Sequence, residues 1–215
     1  MRSDVYRLDD ARVRAAESRY TFFIPSESET AAVRVGDSVR LTFEWLTDVE
    51  KYGGERMWVE ITRIDGETLT GTLDNEPFEK GKLQRGDVIA FERRHILDIQ
   101  WIAPKPPAFP RQYREYWERC LVDDCVLDGS EPVEYLYREE PDMAEESDKY
   151  PDSGWRIRGR IGSATDDEIE ARKPQYVALG AVLNRDDSWL HLIDSPIGSA
   201  YERDFETGEY RAVDN

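Results

Sequence analysis

Catalytic side chains are scarce in this chain of 215 residues. It holds two histidines and two cysteines. His95 and His191 lie almost a hundred positions apart, and His191 in "SWLHLID" alternates with apolar neighbours. Neither reads as a general base. Cys120 and Cys125, in "CLVDDC", have neither redox C-x-x-C nor zinc-knuckle spacing and read as free thiols in a reducing compartment. G-x-S-x-G, S-x-x-K and a phosphate-binding glycine loop are missing. "DDCVLDGSE" lacks the spacing of a calcium loop. No run approaches the ~20 apolar residues of a membrane span, and "MRSDVYRLDDARVRAA" carries no apolar h-region. The expectation is a soluble, cytoplasmic, non-enzymatic protein without cofactor or metal.

Positive charge is also in short supply. Twenty-nine basic residues face 46 acidic ones, a net charge of −17. That excess repels nucleic acid, whose binders carry basic stripes, and attracts a basic protein. The deficit is uneven, with a net of −5 over residues 1–100 and −12 over 101–215. The composition changes at "WIAPKPPAFP", where four prolines between Pro104 and Pro110 favour an extended connector. Two domains are expected, residues 1–103 and 111–215.

Hydrophobic residues are 39% of the chain, enough for a core. The fold class expected is α+β, two small sheet-rich and mostly antiparallel domains, the first a curled sheet or small barrel with an N-terminal helix. That helix reads from Asp9 to Arg19. "SVRLTFEWL" puts Val39, Leu41, Phe43 and Trp45 on one strand face. "GERMWVEITRIDGETLTGTLDNEP" reads as a hairpin. Met57, Val59 and Ile61 share one face, Trp58, Glu60, Thr62 and Ile64 the other, with the turn at Asp65-Gly66. Gly71 in mid-strand points to a bend or a close backbone approach. "VGDSVRLTF" is echoed by "RGDVIAF", each with Gly-Asp turning into a strand.

In the second half a short helix is expected over "RQYREYWERC", then strands over "CLVDDCVL" and "PVEYLYRE". Eleven acids and one base, Arg138, fall between Asp123 and Asp148, and the centre of that stretch reads as a mobile loop. "GWRIRGRIG" is a strand with Trp155 and Ile157 turned inward. "TDDEIEARK" is a helix capped by Thr165 and Glu168. "YVALGAVLN" is expected to be a central strand, and the tail a hairpin turning at Thr207-Gly208.

Two resemblances rest on ordered motifs. Trp58, Gly66, Gly71, Leu73, Asn75, Pro77, Gly86 and Asp87 resemble the signature of a widespread bacterial domain family of unknown function, which carries no activity to transfer. "YLYRE", "DSGWRI" and "DSPIGSAYER" resemble the bacterial polymorphic-toxin immunity proteins of class thirty-three. The chain departs where that family has a G-D-E run, with "RGRIGSATDDE" instead. This second resemblance implies a non-catalytic protein that neutralises a protein toxin, here a basic one. The competing expectation is a small-ligand module, or a hydrolase, with a site between the domains.

Arg138, Glu139, Glu140, Asp152 and Trp155 are the candidate partner-binding residues, with Arg138 facing Asp152 as an ion pair. Trp58, Gly71, Asn75, Pro77, Gly154, Pro196 and Gly198 are motif residues with structural roles. Glu139, Glu140, Glu145 and Glu146 are expected to steer a basic partner.

Overall fold

Alternation along β2 (Ser38–Trp45) is complete: Val39, Leu41, Phe43 and Trp45 are buried, and the residues between them are half-exposed. In this computed structural model, residues 4–47, 51–110, 113–142 and 148–214 are described. The chain divides into two compact units, Met1–Gln112 and Tyr113–Asn215. The fold is α+β and sheet-rich, with one six-stranded sheet in each unit.

In the N-terminal unit, β1 (Tyr6–Leu8) is followed by α1 (Ala11–Glu17) and α2 (Glu27–Ala31). Asp10 caps α1, which is shorter than the 9–19 expected. The sequence reading missed α2, although Ser26 and Glu29 form the capping box that marks its start. Then β2, β3 (Gly54–Asp65), β4 (Thr68–Leu73) and β5 (Val88–Glu92) form an antiparallel meander. After a 3-10 turn at Arg93–His95, β6 (Asp98–Gln100) returns to pair with the start of β2. The sheet is thereby curled around Leu41, Phe43, Val59, Ile61, Leu69 and Ile89, all 0% exposed.

Two details of the hairpin depart from expectation. A bulge between Ile61 and Arg63 shifts the register, so Ile64 pairs with Leu69 and packs on the core instead of sharing the outer face with Trp58. Asp65 pairs with Thr68, which moves the turn to Gly66-Glu67, with Gly66 at φ +61°. At Gly71 a Cβ would collide with the carbonyl oxygen of Glu60, so the close approach allows only glycine.

The sequence echo is a structural one. Gly36 and Gly86 have φ +94° and +97°. Their amides donate to Ile61 O and Leu73 O, both at 2.8 Å. Asp37 Oδ2 accepts from the Arg34 amide at 2.7 Å, and Asp87 Oδ2 from the Gln84 amide at 2.9 Å. Each turn therefore grips the sheet in the same way.

The C-terminal unit contains β7 (Arg119–Asp123), α3 (Asp124–Asp128), β8 (Val133–Arg138), β9 (Asp152–Gly159), α4 (Asp166–Glu170), β10 (Pro174–Ala178), α5 (Leu179–Leu183), β11 (Ala200–Arg203) and β12 (Tyr210–Ala212). Strand order is β10-β7-β9-β8-β11-β12, antiparallel except for β7 beside β9. The capping box of Thr165 and Glu168 forms as expected, and the tail is a hairpin with Gly208 at φ +79°.

Three expectations fail here. No helix forms over the described residues 113–118, because the carbonyls of Tyr116 and Glu118 accept from the Gly180 and Leu179 amides at the start of α5. The chain turns helical at Asp124 instead of continuing as a strand, and Gly129 at φ +81° ends that helix. "YVALGAVLN" splits into β10, at a sheet edge, and α5, whose Leu179, Val182 and Leu183 are buried. A continuous apolar run fits a buried helix as well as a strand, so period alone could not separate them.

Candidate partner-binding face of the C-terminal unit

The turn into β9 is built by its own side chains. Asp152 Oδ1 accepts from the Gly154 amide at 3.1 Å, the Asx turn expected of "DSG". Gly154 has φ +80°, and a Cβ there would strike the carbonyl oxygen of Glu139. Only glycine lets the Glu139 amide reach Gly154 O at 3.0 Å. Trp155 then points inward, is 0% exposed, lies 5.7 Å from Trp189 and donates its indole N–H to Ile193 O. It belongs to the core and presents nothing to a partner.

Strand alternation sends Arg156 to the opposite face, and there it is the residue that the sequence reading missed. Its guanidinium grips Asp152 with two bonds, of 2.8 and 3.1 Å, and also pairs with Glu139 and, at 3.1 Å, with Asp142. The side chains of Arg156 and Asp152 are 3% and 0% exposed, whereas Glu139 and Asp142 are at 41% and 72%. The hydrogen bond to Asp152, more than any other cause, raises the Arg156 pKa further. A buried cation thus pins the start of the acidic segment onto the sheet. The clue in the sequence was the W-R-I alternation, which places an arginine opposite two inward residues.

Arg138 does not pair with Asp152. Its Nε donates to Ser153 O at 3.0 Å and its Nη1 to Ser195 O at 2.6 Å. Its carbonyl accepts from the Gly198 amide at 2.7 Å. Gly198, at φ +90°, and the Pro196 carbonyl, which accepts from the Ser199 amide, shape the loop that Arg138 holds. Glu140 is exposed. Residues 139–142 and 148–151 are irregular, and the loop expectation for 143–147, with Glu145 and Glu146, lies outside the described residues. At the far end Arg119 Nε pairs with Asp148 at 2.8 Å, and this hydrogen bond holds the Asp148 carboxyl below its usual range.

The register defines the rest of the face. Across the strands Tyr176 lies opposite Leu121, Leu121 opposite Arg156, Arg156 opposite Tyr137 and Tyr137 opposite Ala200. One row on, Arg158 lies opposite Tyr135 and Tyr135 opposite Glu202. Tyr135 and Tyr137 are half-exposed with ring centroids 5.7 Å apart. Arg158 is held to Asp123 at 2.9 Å. The reverse face carries Cys120, Val122, Leu136 and Ile157, all buried, and packs against α3 and α5. The sheet thus has a core side and a side lined with tyrosines and rimmed with acids.

Burial pushes the Cys120 thiol up, so it stays protonated. His95, in the other unit, accepts from the Glu92 amide, and burial followed by Arg94 lowers its pKa. Among the described residues no three histidine, cysteine or carboxylate groups could hold a metal ion, and no helix is long and apolar enough to cross a membrane.

Residues 120–214 match the Immunity protein Imm33 domain. The Imm33 match begins one residue into β7 and takes in the whole tyrosine face except Arg119, together with Arg138, Glu139, Glu140, Asp152 and Trp155. Residues 6–106 match an uncharacterized protein conserved in bacteria, DUF2314. Among the residues matched there, Asn75 Oδ1 accepts from the Trp58 amide, Trp58 O accepts from the Asp74 amide, and Pro77 is buried. No curated protein and no solved structure matches the chain.

Proposed function

We propose that this is a cytoplasmic, non-catalytic binding protein whose C-terminal unit neutralises a basic protein toxin. The observation that carries the reading is the one-sided Imm33-type sheet, with Tyr135 and Tyr137 at its centre and an acidic rim pinned by Arg156. Tyrosines on a rigid sheet supply large contact area at low entropic cost. The acids, most of them solvated, set the rate of encounter more than its strength.

The test starts with co-purification from the native host and mass spectrometry, followed by binding kinetics on the recovered partner. A toxin with a basic domain is the expected catch. Raising salt toward ~0.5 M, where screening shortens to a few ångströms, then slows association and leaves dissociation little changed. Neutralising Glu140, Glu145 and Glu146 to glutamine does the same. Tyr135→Ala with Tyr137→Ala instead speeds dissociation. A partner that binds both variants like the parent chain sinks the reading.

A further inference from the structure

Charge on the tyrosine face is matched almost everywhere within the chain. The Arg156 guanidinium meets Asp152, Glu139 and Asp142. Arg158 and Arg172 share Asp123, at 2.9 and 3.7 Å. Arg211 meets Asp204 at 2.5 Å. Glu202 is a further carboxylate on this face, and it has no such arrangement. It is exposed, and among the described residues its carboxylate takes part in no hydrogen bond or ion pair.

The register shows why Glu202 is left over. It lies opposite Tyr135 on β8 and opposite Arg211 on β12. Side chains directly opposite on one face start about 5 Å apart, so Arg211 is the cation that the ladder offers it. Arg211 turns to Asp204 instead. Asp204 is itself fixed, because one of its oxygens accepts from the Glu206 and Thr207 amides at 2.8 and 3.2 Å. The alternate positions along the strand, Ala200 and Asp204, supply no cation. Arg158, the other cross-strand neighbour of Tyr135, is held at Asp123.

The unmet carboxylate therefore stands beside the half-exposed Tyr135 ring, with Tyr137 5.7 Å from that ring. A ring face next to an unpaired anion selects a cation. Arginine fits this pair better than lysine. Its plane stacks on a ring while its fork delivers two parallel N–H donors to a carboxylate.

We propose that Tyr135 and Glu202 together seat one arginine side chain of the toxin, its guanidinium lying on the ring and donating two N–H bonds to the Glu202 carboxylate. This rests on the toxin reading and adds the residue that selects the anchor. Glu202 belongs to β11 and not to the acidic rim, so it acts in the bound state, where the rim acids act in the encounter.

The probe is a capped Gly-Arg-Gly peptide, titrated into the isotope-labelled full chain and followed by NMR amide shifts. Saturable shifts clustered at Tyr135, Tyr137 and Glu202 are expected. The citrulline peptide, of the same shape without the charge, should give none, and the lysine peptide should bind more weakly. Glu202→Gln should weaken the arginine peptide about tenfold. Asp204→Asn keeps an oxygen for the Glu206 and Thr207 amides but releases Arg211 toward Glu202, and should weaken the peptide as well. Unchanged urea midpoints show that both variants fold. No saturable shift, equal binding of the citrulline or lysine peptide, or either variant binding like the parent would overturn the proposal. So would self-association in sedimentation velocity that Glu202→Arg abolishes, which assigns the face to a second copy. On the recovered toxin, Glu202→Gln should speed dissociation and leave association little changed. If dissociation is unchanged, the arginine seat fails and the toxin reading stands. If the peptide is seated but no toxin is recovered, the toxin reading fails alone.

Discussion

The two units satisfy buried charge in different ways and gain different things from it. In the N-terminal unit the buried groups are carboxylates, Asp37 at 0% and Glu79 at 3% exposure, and both take backbone amides. In the C-terminal unit the central buried charge is the Arg156 guanidinium, which takes three carboxylates. A carboxylate satisfied by amides fixes the shape of loops within its own fold. A cation satisfied by carboxylates from a separate acidic segment couples that segment to the sheet. The first device makes turns, and the second positions a rim.

The largest expected effect is apolar and sets the scale for the charged ones. Trp155→Ala should cost ~3–5 kcal/mol, read by urea denaturation. Arg156→Met approaches that value, ~3–5 kcal/mol, because the buried Asp152 carboxylate loses its buried cation. The same variant should expose Glu139 and Asp142 to faster proteolysis nearby. If Arg156→Met unfolds like the parent, the cation is not the pin, and the contrast between the units collapses.

The paired turns allow a finer comparison. Asp37 is fully buried and also accepts from the Ile102 amide at 2.8 Å, so Asp37→Ala should cost ~2–4 kcal/mol. Asp87 has the same turn geometry but is half-exposed, and Asp87→Ala should cost ~1 kcal/mol. Equal losses would mean that turn geometry, not burial, decides the value. The smallest effect is confined to alkali. Burial pushes Tyr210 up to about 12, and its hydroxyl donates to Val133 O at 3.1 Å. Its folded value lies above the ordinary ~10, so its contribution is intact below pH ~10 and is lost as pH rises through about 12. Tyr210→Phe should flatten the alkaline end of the stability profile, leaving the acid end alone.

Strands with strict alternation were legible in the sequence, as Val39 to Trp45 and Trp155 to Ile157 demonstrate. The Gly-Asp echo and the Thr165 cap were legible for the same reason, since local hydrogen bonds decide them. What escaped was set by long-range partners. The carbonyls of Tyr116 and Glu118 serve a helix sixty residues away, the bulge near Thr62 depends on its cross-strand neighbours, and α5 is helical because it is buried. Arg138 drew attention as the lone base among acids, yet Arg156 holds those acids from across the ladder. Spacing gives a residue's face, and only pairing gives its partner.

Because β9 lies between β7 and β8 yet follows both in the chain, the second sheet has an order of assembly. In the N-terminal unit β2 to β5 join their neighbours as they are made, and β6 then closes back on β2. In the C-terminal unit Leu121 and Leu136 emerge early and wait, without a central strand, until residues 152–159 leave the ribosome. Over that interval the nascent chain carries two unpaired apolar strands, with its most acidic stretch following directly after the second. Like charges there repel neighbouring chains during translation, which guards against edge-to-edge aggregation at the stage when the fold is least complete.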